Sequence, residues 1–512
     1  MITRRQFVKV GAIGVAGLGL FRPGAPAVAA PARGGTLTVA LIADPRSLDP
    51  HLTGNLQGRA TVRAIHDSLL AVDEGGNLAP MLVERWEQPD PRTYLLHLRP
   101  GVKFHDGTDF DAEAVIYNFK RIQNPDISSI RAGEIKVLES MEAVDSLTVK
   151  LTLQYPFAAF LYALTDVVGC IGSPAAFEKY GKEQSGLNPV GAGPFRFVHY
   201  AQDTETVLER NPDYWDSERP YLDRIILRPI PSDSTRLTEL KTGGVDIAEE
   251  LPLQNIAGLR NETNFAVSER IGFRWEYFSF NARSEYPGSN KKLRQAFQWA
   301  IDREALHRAA YFGTGSVGYS AILPGNPFYD ADYAPFSFDQ DKAKRLLDES
   351  GLGSVEITTY LRPEAVKQRA AQIFQSMAAD VGVKVNLEQV DYANHRNKLF
   401  GGTLPLDLHG WWGYRPDPDQ YLSILLQSEG SYAKAFACAS PEMDALFLQQ
   451  RGELDPGKRK QVFDQITAGV SDDSIYIPWH YSSDFKGIGK RVQGFVHKPD
   501  SIIDFTRISV TA

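Results

Sequence analysis

Apolar residues recur along this chain with two periods. Residues 36–42 are a nearly continuous apolar run of strand length, which reads as a buried strand. Leu147, Val149, Leu151 and Leu153 alternate with Thr148, Lys150 and Thr152, the period of a half-buried strand. Residues 94–98 read as a short strand. After a turn at Pro100-Gly101, residues 102–104 are predicted to pair back on it as a hairpin arm. Strands are also predicted at 225–230, 245–248, 385–390, 474–481 and 492–496, with a Gly/Pro turn at 188–195 feeding a strand through Val198. The helical period appears in Val115, Ile116, Phe119 and Ile122 behind a capping Asp111. It recurs in Leu293, Ala296, Phe297, Ala300 and Ile301, and again from Val366 through Ala370, Ile373, Phe374 and Met377 to Val381. Asp455-Pro456 opens a helix that buries Val462, Phe463, Ile466 and Val470. Helices are further predicted at 59–70 and 234–242. Strands and helices alternate throughout, so the class is α/β with mixed sheets.

A chain of 512 residues corresponds to two to four domains. Its net charge of -8 argues against general nucleic-acid binding, and no Lys/Arg-rich run follows the N-terminus. The N-terminal stretch changes the picture more. Arg4-Arg5 precede a mild apolar run from Val10 to Leu20, and Ala27-Val28-Ala29-Ala30 follows as a small-residue cleavage pattern. Residues 1–30 therefore read as a twin-arginine signal peptide, cleaved after Ala29 or Ala30, which places the mature chain in the periplasm. No cysteine follows the apolar run, so a lipid anchor is not expected. Only Cys170 and Cys438 occur, far apart in sequence, so a disulfide between them is possible but not indicated.

The stretch 410–421, Gly-Trp-Trp-Gly-Tyr-Arg-Pro-Asp-Pro-Asp-Gln-Tyr, holds four aromatic rings, one guanidinium and two carboxylates. Its glycines and prolines predict a loop. Aromatic walls with a few charges suit a small polar ligand, although the tryptophans could equally fill core.

Residues 94–122, YLLHLRPGVKFHDGTDFDAEAVIYNFKRI, resemble the extracytoplasmic solute-binding proteins of ABC transporters, family 5, the peptide/nickel type. The stretches NPVGAGPFRF, ERNPDYWD, PYLDRIILRPI, FSFNARSEYPGSNKKLRQAFQWAIDREAL and FDQDKAKRLLDESG extend the resemblance across the mature chain. It implies a two-lobed periplasmic-binding-protein clamp with mixed sheets, type II, of the large peptide-binding subclass with an extra inserted subdomain. Residues 31–64, 186–275 and 486–512 would form lobe I, with 65–185 as its inserted subdomain, and 276–485 would form lobe II. Crossings near 275 and 485 would let the lobes close on a ligand. The partners implied are a small-molecule or short-peptide ligand and ABC permease subunits in the inner membrane, with the protein itself a monomer.

In peptide-binding relatives, a carboxylate in the 410–421 stretch holds the ligand's amino terminus. Here Gly410-Trp411-Trp412-Gly413 match the family pattern, but Tyr414 stands where the aspartate is expected. Either Asp417 substitutes, or the ligand lacks a cationic amine. Arg415 favours anionic or carbonyl-rich ligands. The resemblance assigns Arg369 to the ligand's carboxylate and Tyr392 to an aromatic contact, and Asp49 and His51 are candidates for facing the cleft. A non-peptide solute (an acidic metabolite, sugar, opine or metal chelate) stays open as an alternative. A hydrolase is disfavoured, because the chain has no HExxH, CxxC, Walker or GxSxG motif. Residues 313–318 match GxGxxG but follow a helix rather than a strand. The ten histidines show no ligand spacing, and neither a metal nor a cofactor is expected.

Overall fold

The computed structural model describes residues 32–413 and 415–511. The predicted signal segment and Tyr414 lie outside the described residues. Eleven strands share one sheet. Its spatial order is Val383–Gln389, Val355–Leu361, Leu406–Trp412, Phe265–Phe280, Tyr476–Gly489, Ile247–Ala248, Thr36–Leu41, Arg224–Pro229, Glu205–Arg210 and Phe195–Ala201. Ser316–Val317 pairs with Tyr476–Gly489 off this path. Thr36–Leu41 runs parallel to both neighbours, and Val355–Leu361 likewise. The other pairings are antiparallel, so the sheet is mixed.

Two long strands carry the centre of this sheet. Phe265–Phe280 and Tyr476–Gly489 run antiparallel to one another. Residues 265–271 pair with 483–489 beside the half containing Thr36–Leu41, and residues 275–279 pair with 476–481 beside Leu406–Trp412. Between these two blocks the register slips. Ile271 faces Ser483 and Trp275 faces Tyr481, so Gly272, Phe273 and Arg274 stand opposite the single residue Ser482. Such a bulge bends a strand and re-aims its side chains.

Distinct apolar clusters back the two halves. Leu37, Val39 and Leu41 pack with Ile225, Leu227, Ile503, Ile508 and Val510. Phe278 and Phe280 pack with Leu293, Phe297, Phe374 and Leu406, and Trp275 and Tyr277 pack with Tyr421, Phe463 and Ile466. A third body is an antiparallel sheet in the order Val83–Asp90, Thr93–Leu98, Thr148–Leu153, Leu138–Asp145. The helix Ala112–Gln123 closes its core, whose buried members all fall between Leu69 and Ala192.

Where local chemistry and burial agree, the predicted elements form. The Asp111 carboxylate accepts from Ala114 N at 2.9 Å, and Val115, Ile116, Phe119 and Ile122 are buried. Asp455 caps Pro456–Asp473 in the same way, with proline in the first turn. Other expectations need correction. Residues 102–104 do not pair back on Thr93–Leu98, because both edges of that strand are taken by Val83–Asp90 and Thr148–Leu153. They close instead on the following turn, Phe104 N donating to Thr108 O and Phe110 N to Val102 O. The helix expected at 59–70 is Leu56–Ile65, started by the Asn55 side chain, and Leu70–Val72 is a strand. The strand expected at 474–481 continues to Gly489, whereas that at 492–496 is only Val492–Gln493. The loop expected at 410–421 is short: the strand runs through Trp412 and a helix starts at Asp419. Both cysteines are free.

Candidate functional site

A cavity of ≈300 Å³ opens at the bulge between the two long strands. Gly272, Phe273, Arg274 and Ser482 all line it, so the register slip itself supplies part of the wall. Gly272 leaves little room for a larger residue, since a β-carbon there would stand 3.0 Å from Pro499 O, which would have to give way. Phe273 N donates to that same carbonyl, which seats the 499–501 segment against the bulge.

Arg274 is the most available cation of the site. Its guanidinium lies over the Trp412 ring at 4.5 Å. Its ion pairs are long, 3.7 Å to Glu250 and 3.7 Å to Glu276, and its buried Nε makes no hydrogen bond. Beneath it, the fully buried Glu276 accepts from the Tyr311 hydroxyl at 2.8 Å and pairs with Lys367. Burial, helped by the charge of Arg274, draws the Lys367 ammonium down to about 7. A β-carbon at Gly410 would stand 2.6 Å from a Glu276 oxygen, so the Glu276 carboxylate requires glycine in the adjoining strand. Arg369 borders the same side. Its Nε and Nη2 donate to Ala310 O at 3.2 and 2.9 Å, and its guanidinium stacks over Phe312 at 4.6 Å.

The opposite wall carries carboxylates. Glu249 accepts from Gln57 and from Ile42 N, and burial pushes its carboxyl upward. Burial opposes ionisation of Asp484 too, but Lys486 and His497 override it and hold that carboxyl well below the usual range. Asp500 pairs with Arg63 at 2.9 Å. Asp233 and Glu250 complete this wall. The lining carries charges of both signs: Arg274, Lys367 and Arg369 stand with Glu364, and the carboxylates of the 233–254 and 484–500 segments stand with Arg236 and Lys486. Phe273, Trp412 and Phe485 lie among them.

Of the residues singled out from sequence, the structure brings two to this cavity: Trp412 and Arg369. Trp411 follows the alternation of the strand to the other face. It sits edge-on to Tyr432 at 5.3 Å, while Trp412 packs with Leu56, Ala60 and Ile502. The remaining candidates stand outside the lining, each for a visible reason. Asp417 is buried, and Arg459 grips both its oxygens at 2.5 and 3.0 Å, away from the cavity lining. Arg415 is buried against Glu134 and lies 3.7 Å from Asp166; burial and the neighbouring Arg59 and Arg131 pull it down to about 9. Asp49 is buried in an ion pair with Arg121 at 2.6 Å, and His51 packs on the same guanidinium. Tyr392 is 60% exposed, beside Arg362. Tyr414 lies outside the described residues. Sequence reading missed Arg274, Glu250 and Lys367. The local signal for Arg274 was weak: it is one of four charges, with Glu269, Arg270 and Glu276, in Phe265–Phe280.

Among the described residues, no group of three or more His, Cys, Asp or Glu side chains converges as metal ligands would, and no helix is long and apolar enough to cross a membrane.

Residues 77–433 match the family model described as bacterial extracellular solute-binding proteins, family 5 Middle. The chain is 30% identical over 479 residues to the glutathione-binding protein GsiB of Pectobacterium atrosepticum, covering 91% of this chain and 92% of that one. Its fold is similar to the ABC transporter-associated periplasmic binding protein DppA of Helicobacter pylori in complex with the peptide STSA. The TM-score is 0.82 at 25% identity, over 94% of this chain and 99% of that one. It is also similar to AgaA from A. tumefaciens R10 in complex with agropinic acid, with a TM-score of 0.81 at 27% identity over 93% and 99% of the two chains.

Proposed function

Because this chain belongs to the bacterial extracellular solute-binding proteins of family 5, we propose that its cleft captures a short, zwitterionic peptide or peptide-like solute such as glutathione. The chain is the periplasmic solute-binding component of an ABC importer, with the two-lobed α/β clamp fold of that family. The observation that carries the ligand proposal is the charged, aromatic-lined cavity at the bulge. There Arg274 stacks on Trp412 with only long ion pairs, Arg369 also lines the cavity, and Asp233 and Glu250 are carboxylates of the same lining. A guanidinium with free donors takes a carboxylate in a bidentate pair, and the aromatic faces accept the apolar part of the ligand. The lobes divide near residues 275 and 485, so Arg274 sits at the crossing and closure brings the two walls together. The protein acts as a monomer and hands its solute to inner-membrane permease subunits. Export follows the twin-arginine route; replacing Arg4 and Arg5 by lysine leaves the precursor in the cytoplasm if this is right, and unimpeded export rejects the route.

The test is thermal shift and calorimetry with reduced glutathione and di-, tri- and tetrapeptides. A ligand at about 100 times its Kd stabilises by about 2.7 kcal/mol. Arg274→Ala and Arg369→Ala each weaken binding by about 10-fold or more. Full affinity in both variants rejects the carboxylate assignment. An acidic opine is the second reading, favoured by Tyr414 standing where a peptide-binding aspartate is expected. No response to peptides with a clear response to opines selects it.

A further inference from the structure

We infer that Glu250 is the residue that receives the ligand's ammonium group, fixing the solute with its amine toward the 233–254 wall and its carboxylate toward Arg274. This inference rests on the peptide reading above. With Asp417 gripped by Arg459, an amine entering the cleft needs another carboxylate. Most of the acids in the lining already have partners. Glu249 is bonded to Gln57 and Ile42 N, Asp484 to Lys486 and His497, Asp500 to Arg63, and Glu364 to Arg362 at 3.1 Å. Asp233 and Glu250 remain. Asp233 sits in the first turn of Asp233–Thr242, where its carboxylate accepts from Ser234 N. Among the described residues the Glu250 carboxylate makes one ion pair, the long 3.7 Å contact with Arg274, with Arg236 and Lys486 acting on it from further away, and its side chain is 40% exposed.

The backbone around Glu250 is built to hold that side chain in place. Glu250 has φ +42°, in the left-handed region that a non-glycine residue adopts only when its surroundings impose it. The imposing group is Arg236, which is buried and directs its guanidinium entirely at carbonyls. Nε donates to Glu249 O, Nη2 to Glu250 O, and Nη1 to Ile230 O and Pro231 O. Leu251 N donates across to Phe485 O, which clamps the far side of the turn. Arg236 is thus a positioning residue, and Glu250 is the group it presents to the cavity beside Arg274, 3.7 Å away. A zwitterion that parts this pair, each side chain turning to one end of the ligand, exchanges one long ion pair for two short ones.

The experiment compares alanine peptides of two to four residues, with free or acetylated amino termini, on the wild type, Glu250→Gln and Asp233→Asn. The wild type should prefer the free amine by about 10-fold or more. Glu250→Gln should abolish that preference while binding the acetylated peptides as the wild type does, and Asp233→Asn should keep it. Arg236→Lys, which keeps the charge but loses the fork, should show a partial loss. Undiminished preference in Glu250→Gln overturns the assignment alone. Failure of the wild type to bind any peptide or glutathione overturns the peptide reading, and this assignment with it.

Discussion

Asp417 and Arg459 are 42 residues apart in sequence, yet each satisfies the other in the interior. Read from sequence, Asp417 is a carboxylate in an aromatic-rich stretch and looks like a ligand group. In the fold, its partner is the residue four positions beyond the Asp455 cap of Pro456–Asp473, where the helix turns Arg459 inward. Removing one member of a buried pair leaves the other uncompensated. Asp417→Ala should therefore cost about 3–5 kcal/mol of stability, measured by urea unfolding, while folded variant protein still binds ligand at near wild-type affinity. Arg369 and Trp412 were singled out from their place in the family pattern, and both line the cavity. Arg274 and Glu250 were not, because the ion pair between them joins residues that meet only in the folded chain.

At the scale of elements, local signals were enough wherever an element is stabilised by its own cap and its own apolar stripe. Ala112–Gln123 and Pro456–Asp473 both have an aspartate cap and a buried face at helical spacing. The strands were legible only in part. Residues 482–489 of the second long strand read Ser-Ser-Asp-Phe-Lys-Gly-Ile-Gly and alternate poorly. They are strand because residues 265–271 pair with them, a contact more than 200 positions away. The bulge was invisible for the same reason, since a register slip belongs to a pair of strands. Gly272→Val tests its role. The added side chain must displace Pro499, whose carbonyl would lie 3.0 Å from the first added carbon. The expected result is a loss of about 1–3 kcal/mol by chemical denaturation, with weaker ligand binding by calorimetry as Phe273 and Arg274 are re-aimed. Unchanged binding would mean that the bulge does not set the cavity wall.

Across the whole molecule, buried histidines couple stability to pH. Burial, reinforced by His105, lowers His66 to about 3, and burial lowers His105 to about 4. Burial also drives His51 and His480 well below their ordinary value. Between pH 6.5 and 4 the unfolded chain binds protons at these positions and the native chain does not, so stability falls as pH falls. Each contributes up to about 1.4 kcal/mol per pH unit. Asp67, raised by burial to about 7, acts in the opposite sense, because its native carboxyl keeps a proton that the unfolded chain releases. Unfolding free energies at pH 7.5, 6 and 5 should show the net acid loss, and His66→Gln should flatten the slope whatever it does to the level. The cluster joining Leu37 and Val39 to Ile503, Ile508 and Val510 has a different consequence, one of timing. A growing chain presents its first strand early, and that strand waits for residues 503–510 before its core can close. Its partners from Ile65 to Ile247 are in place well before then, so the closing contact is the most non-local of the cluster, the kind that slows folding.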